Sequence, residues 1–405
     1  MKRLRLLTAG ESHGPGLIGV LDGLPAGVRV ATREVDRDLL RRQHGYGSGR
    51  RMQIEHDRVR WTAGIRYART LGSPVGWWIE NRDWPNWTAR MSVEAIPAAQ
   101  RPRPITRVRP GHVDLAGALK YDTDDVRDVL ERASARSTAA RAVAGSLAAQ
   151  LLAACGVRIW SFVDQLGPIR CFPEADDPVE VVPADWRDRD RLDPSPLRCP
   201  DPEAERAMLA EIDAVRDAGD SIGGSFVVVA EGLPIGLGGS AEWDTRLDGA
   251  LAGAVMAIPA VKGVEIGLGF GVVTRRGSQV HDVVEPGGGG WQRRTNRAGG
   301  IEGGISNGAP VVVRAAVKPI STLRRPLPSI DLVSGEESPA HIERSDVAIL
   351  PRAAVVGESM VALILADELL VSLGGDSMGD LRAALRRRRR RTAGPTRSAV
   401  ARVRR

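Results

Sequence analysis

Helix-like and strand-like periodicities alternate along this 405-residue chain without a strict βαβ rhythm, and 46 glycines and 26 prolines interrupt them. A doubly wound parallel sheet needs regular alternation of strand and crossover helix, so the pattern predicts an α+β fold rich in turns and close backbone approaches. The length suits one large domain or two ordinary ones. No stretch reads as a linker, so residues 1–385 are expected to form a single domain.

Local signals place several elements. A helix is expected from a Thr32 cap to about Gln43, with Glu34 and Asp36 in its first turn and Arg41 and Arg42 in its last. A longer helix is expected from Thr123 through an Ala-rich stretch to Cys155-Gly156. Residues 170–205, rich in Pro and acids, read as a surface excursion. Asp201 and Pro202 open the next helix, with Met208, Ile212 and Val215 on one stripe. Strands are expected at Phe226–Val229 and Val311–Val317, and helices at Leu251–Ile258 and Glu358–Leu373.

The formal charge of +7 invites a nucleic-acid reading, but residues 386–405 hold ten arginines and no acid, and setting them aside leaves a body at −3. That tail is expected to be disordered. Aromatic residues at 4% leave few stacking platforms, which argues against nucleic acid as the partner. Cys155, Cys171 and Cys199 form neither a zinc pattern nor a disulfide framework, so no metal is expected and a reducing compartment fits. The start of the chain lacks a sustained apolar region, and the apolar run Val361–Ala366 is too short to span a bilayer. A cytoplasmic protein without membrane contact is expected.

Gly10-Glu11-Ser12-His13-Gly14 matches the G-x-S-x-G pattern of a hydrolase nucleophile, but Pro15 follows and too little sequence precedes it for a central sheet. Neither a P-loop nor a dinucleotide fingerprint occurs. His13 and His112 both lie beside glycines, where backbone can approach a ligand and imidazole can move protons. Arg41, Arg42, Arg50, Arg51, Arg101, Arg103, Arg107 and Arg109 lie in polar, Gly-rich surroundings, and guanidinium groups suit a small polyanion carrying phosphate and carboxylate.

Three phrases, residues 9–14 (AGESHG), 109–117 (RPGHVDLAG) and 130–136 (LERASAR), resemble the chorismate synthase family in the right order. Later phrases around Trp243-Asp244, residues 261–267, 296–308 and 318–322, and Arg344-Ser345-Asp346 continue the resemblance, which covers roughly residues 3–380. It implies a single α+β domain with helices sandwiched between antiparallel sheets, assembling as a homotetramer. The implied reaction is the anti-1,4-elimination of phosphate from 5-enolpyruvylshikimate 3-phosphate to chorismate, the last common step of the shikimate pathway. It requires reduced FMN without net redox change, with NADPH or a separate flavin reductase as electron source.

By the same resemblance the catalytic groups are His13 at the departing phosphate, His112 beside the flavin, and Asp346 taking up the proton passed to flavin N5. Ser12 is a possible relay to it. Arg42, Arg51, Arg109, Arg136 and Arg344 would hold phosphate and carboxylates. Arg132, Ala133, Ser134, Ala260, Gly303, Lys318, Pro319, Ile320, Ser321, Thr322 and Arg344 would bind FMN. The chain departs from the family's pattern at Ser48, where Arg is usual, at Pro259 and Ala309 (Gln), and at Ser137 (Glu). A divergent FMN-binding paralogue with altered or weak activity is the alternative.

Overall fold

The structure is a computed structural model that describes residues 1–48, 56–173, 178–287, 290–343 and 346–392. Two antiparallel sheets enclose a helical layer. The N-terminal sheet runs in the order Arg5–Ala9, Gly16–Asp22, Val75–Glu80, Val59–Ala63. The second sheet has the order Val261–Ile266, Val311–Val317, Gly224–Glu231, Arg158–Leu166, Ile169–Arg170. Helix Thr138–Ala153 packs on the first sheet and helix Leu350–Leu373 on the second, and the two helices pack on each other. Small side chains make that contact close: a Cβ on Gly145 would lie 2.3 Å from the Ser359 Cβ.

Leu350–Leu373 is apolar almost all round, which marks a helix buried inside a protein. It starts eight residues before its expected position because Pro351 fits a first turn and Gly357 continues the helix. A Cβ at Gly357 would meet the Phe226 ring at 2.4 Å, so that glycine serves packing rather than helix termination. Among the described residues, no helix is long and apolar enough to cross a membrane.

Other expectations need correction. Thr32 begins its helix as expected at Thr32–Gln43, but Ala31 is the cap and the Thr32 hydroxyl instead accepts from Trp61 Nε1 at 2.9 Å. The helix expected from Thr123 is broken: Arg127–Ala133 ends at Ser134, which is extended and whose hydroxyl accepts from the Arg136 N–H before Thr138–Ala153 begins. The expected helix Leu251–Ile258 lies earlier, at Leu247–Met256. Asp201 caps its helix as expected, accepting from the N–H groups of Glu203 and Ala204 at 2.9 and 3.2 Å.

The 170–205 segment is more than a surface excursion. Val179, Val182 and Leu192 are buried with Trp160, Phe162, Val227, Val229 and Val312, covering the outer face of the second sheet. Its far end is tied into the core by Glu358, whose Oε1 accepts from Arg41 Nη2 at 2.8 Å, Arg198 Nη2 at 3.1 Å and the Ser161 hydroxyl at 2.7 Å. Arg189 also pairs with Glu358. Burial opposes charge on Glu358, yet Arg189, Arg41 and Arg198 outweigh it and hold the carboxyl far below the usual range.

Of the tail expected over 386–405, residues 393–405 lie outside the described residues. Helix Met378–Thr392 carries Arg386–Arg391. Arg388 donates to the carbonyl of Gly236 at 2.8 Å and Arg389 to that of Cys155 at 2.8 Å, docking the helix on the body.

Candidate active site

The break at Ser134 brings several predicted residues together. Glu131 and Arg132 project from the last turn of Arg127–Ala133, and Ser134 and Arg136 from the turn that follows. Glu131 meets the Gly10–Gly14 loop: its carbonyl accepts the Ser12 N–H at 3.0 Å, and its Oε2 accepts the His13 N–H at 2.8 Å. His13 Nδ1 lies 2.9 Å from both Glu131 oxygens. A carboxylate can only accept, so it fixes the proton on Nδ1 and leaves Nε2 to act. Trp87 stacks on the buried imidazole with ring centroids 3.6 Å apart. The loop is held from behind by Asn81 Nδ2, which donates to the Gly14 carbonyl at 2.7 Å.

His112 is built the same way. Its Nδ1 meets Asp114, which lies at the start of helix Asp114–Tyr121, so the carboxylate again occupies Nδ1 and not Nε2. Arg109 Nε and Nη2 clamp the two Asp114 oxygens at 2.7 and 3.0 Å, and Arg109 Nη1 reaches the Thr322 hydroxyl at 3.3 Å. Burial disfavours charge on Asp114, but His112 and Arg109 outweigh it and hold its carboxyl far below the usual range.

The two histidine centres are joined. Arg127 Nη1 donates to Glu131 Oε1 at 2.6 Å, and its Nη2 lies 3.8 Å from Glu343 Oε1. The other Glu343 oxygen is 3.6 Å from Arg109 Nη1. The result is one line of contacts in which carboxylates alternate with nitrogen groups, His13, Glu131, Arg127, Glu343, Arg109, Asp114, His112. Burial raises the Glu343 pKa, but the His341 hydrogen bond and the charges of Arg109, His341 and Arg127 bring it down to about 2. Arg127 also lies over the Trp87 ring and lines a cavity of about 570 Å³ with Arg90, Arg101, Arg103 and His341.

A third cluster lies along the same stretch of chain. Asp57 Oδ2 accepts from Arg42 Nη2 at 2.9 Å and from Arg136 Nη1. Burial works against the Asp57 charge, but Arg42 and Arg136 hold its pKa below the normal carboxylate range. Arg51 and Arg344 lie outside the described residues, as does Arg50. Asp346 pairs with Arg352. Ser48 turns its hydroxyl onto the Gly45 carbonyl at 2.7 Å.

The expected flavin residues are only partly gathered. Lys318 Nζ donates to the Gly111 carbonyl beside His112, its N–H donates to the Ala260 carbonyl at 2.9 Å, and Thr322 is buried against Arg109. Ala260 has φ +71°, a left-handed turn conformation unusual for alanine. Ser221 donates to the Ile320 carbonyl at 2.7 Å, fixing the run that includes Pro319 and Ser321. Arg132 instead grips the carbonyls of Thr8 and Gly10 at 2.7 and 2.9 Å, next to Ala133 and Ser134. Gly303 lies on a hairpin whose next residue, Gly304, accepts from the Leu247 N–H at 2.9 Å, with no atom within 4 Å of a would-be Cβ. A cationic Lys318 with Ser321 and Thr322 hydroxyls suits an anionic flavin or its phosphate, so the donor set fits the group. Partial burial, then Lys262, lowers the Lys318 pKa.

The family model described as chorismate synthase matches residues 4–370. A chorismate synthase of Desulforudis audaxviator is 56% identical over 380 residues, 93% of this chain and 95% of that protein. The chain belongs to the chorismate synthase family. A second chorismate synthase, from Symbiobacterium thermophilum, is 52% identical over 385 residues, 93% of this chain and 96% of that protein. A crystal structure of chorismate synthase superposes with TM-score 0.76 at 37% identity, covering 96% of this chain and 98% of the other. As a chorismate synthase the chain is a carbon–oxygen lyase of the shikimate pathway, acting on 5-enolpyruvylshikimate 3-phosphate in aromatic amino acid biosynthesis, and its family uses reduced flavin.

Glu131 and Asp114 lie within the motif phrases 130–136 and 109–117, which assign them no role. Asp57, Trp87, Arg127 and Glu343 lie outside the motif phrases. Two signals were available: the Arg127 to Glu131 spacing is i,i+4 on a helix, and Asp114 lies two residues after His112.

Proposed function

We propose that the elimination runs between His13 and His112, with FMN as the flavin. The observation that supports this most is the line of contacts from His13 through Glu131, Arg127, Glu343, Arg109 and Asp114 to His112, which engages Nδ1 of both imidazoles in one network. His13 Nε2 protonates the departing phosphate, whose charge grows as the ester breaks. Arg42 and Arg136, oriented by Asp57, hold phosphate and carboxylates, with Arg51 and Arg344 completing the set. His112, Lys318, Ser321 and Thr322 hold the flavin with Arg132, Ala133, Ser134, Ala260, Gly303, Pro319 and Ile320. When bound, reduced flavin supplies electron density to the allylic system as phosphate leaves. Asp346, with Ser12 as relay, takes up the proton released from the substrate. Trp87 and the burial of His13 keep water from the proton donor.

Electrons to reduce the flavin come from NADPH or from a separate reductase, and the protein works in the cytoplasm. A homotetramer would cover Leu7, Ile18 and Val20, which are 73%, 45% and 37% exposed on the outer face of the N-terminal sheet. Anaerobic turnover of 5-enolpyruvylshikimate 3-phosphate with reduced FMN tests the assignment. Wild-type rates in His13→Ala or His112→Ala would overturn it.

A further inference from the structure

Cys171 and Cys199 are 28 residues apart in sequence, yet their sulfurs lie 3.0 Å from each other, while Cys155 is the third free thiol. One irregularity in strand Arg158–Leu166 brings them together. The pairing of that strand with Gly224–Glu231 shifts register between Val163 and Gln165, which releases backbone groups from the ladder. The freed Asp164 carbonyl accepts the Cys171 N–H at 2.9 Å, and the Val163 carbonyl accepts the Cys171 thiol at 3.1 Å. The Val163 N–H donates to the Arg198 carbonyl at 3.1 Å, which places Cys199 on the other side. The two cysteines are thus the two feet of the 170–205 segment, and the segment's interior carries the Arg189 and Arg198 contacts to Glu358.

We propose that Cys171 and Cys199 form a modification site, a reversible disulfide that staples the feet of this segment together on oxidation by a peroxide. One thiol is first oxidised to a sulfenic acid as the O–O bond breaks and water leaves. The second sulfur then attacks the first and expels another water. In sum two S–H bonds and one O–O bond are replaced by one S–S bond and two new O–H bonds; the sulfurs lose two electrons and the peroxide gains them. The sulfurs need to close by about 1 Å to reach bonding distance, and the shared bulge holds the backbone at both feet. Both thiols are buried, so the reaction is slower than at an exposed low-pKa cysteine. The hydrogen bond shared with Cys199, and then burial, push the Cys171 thiol above the normal range. The cross-link removes freedom from the unfolded chain and stabilises the fold.

The test is hydrogen peroxide added to the full-length native protein, followed by denaturing alkylation, intact mass and peptide mapping. The expected result is a fall from three free thiols to one, a mass loss of about 2 Da, a 171–199 linked peptide, and reversal by dithiothreitol. Cys155→Ala keeps the pair intact and is expected to lose both remaining thiols, with a raised thermal midpoint after oxidation; Cys171→Ser and Cys199→Ser lose the signature. Retention of all three thiols, a link through Cys155, or over-oxidation to sulfinic acid without a cross-link would each overturn the proposal.

Discussion

Both carboxylate oxygens of Glu131 stand 2.9 Å from Nδ1 of His13, and one of them also accepts the His13 N–H at 2.8 Å. The side chain therefore sets the imidazole's tautomer, its plane and the position of its backbone at once. Of the contacts that reach His13, this one reads most directly as catalytic positioning.

His13→Ala is expected to lower kcat by roughly 10²–10⁴-fold, the usual worth of a positioned proton donor. Glu131→Gln preserves shape and removes charge, so a smaller loss of roughly ten- to a hundredfold is expected, with KM little changed. Steady-state kinetics of the double variant provide the check: it should be no slower than His13→Ala alone, because the two act as a unit.

Arg136→Ala removes one of two guanidinium groups that share Asp57. A charge-assisted contact contributes about 1.5–3 kcal/mol, so the substrate KM should rise roughly 10- to 150-fold with a smaller effect on kcat. An unchanged KM would remove Arg136 from the substrate site.

Lys318→Ala deletes the ammonium group that rests on the Gly111 carbonyl beside His112. Anaerobic titration with reduced FMN should show affinity weakened by roughly tenfold or more, with the apparent substrate affinity far less affected.

Glu358→Gln leaves Arg41, Arg189 and Arg198 without their shared buried counter-charge. The expected loss is about 3–5 kcal/mol, a thermal midpoint lower by roughly 4–6 °C. Glu343 has its pKa lowered from 4.5 to about 2, and Glu358 is depressed further. Carboxylates of this kind stabilise the fold fully above their unfolded pKa and lose that contribution as pH falls through the folded one. Wild-type stability should therefore fall below about pH 4.5, and its advantage over Glu358→Gln should shrink in the same range. Chemical denaturation at stepped pH measures both.

A truncation tests the docking of the arginine-rich helix Met378–Thr392. Removing 386–405 deletes the Arg388 and Arg389 contacts to Gly236 and Cys155, and should lower the thermal midpoint by roughly 2–4 °C.

Much of this protein was readable without coordinates. The strand Val311–Val317 and the Asp201-capped helix follow from local signals, because β-branched runs and capping side chains act within a few residues. The motif phrases around His13, His112 and Ser134 identified the family and its chemistry. Tertiary structure decided the rest. The break at Ser134 was hidden because Arg127–Ala133 and Thr138–Ala153 are both good helical sequences on either side of it. The 170–205 segment looked like surface because it has no period, yet its apolar residues cover a sheet whose strands are buried on both faces. Arg388 and Arg389 looked like free charge, but they donate to the backbone carbonyls of Gly236 and Cys155, 152 and 234 positions away. Glu131, Glu343 and Asp57 also take partners distant in the chain. A carboxylate's role depends on which cations surround it, and chain positions 118, 216 and 79 residues apart meet only when the sheets close around the helices.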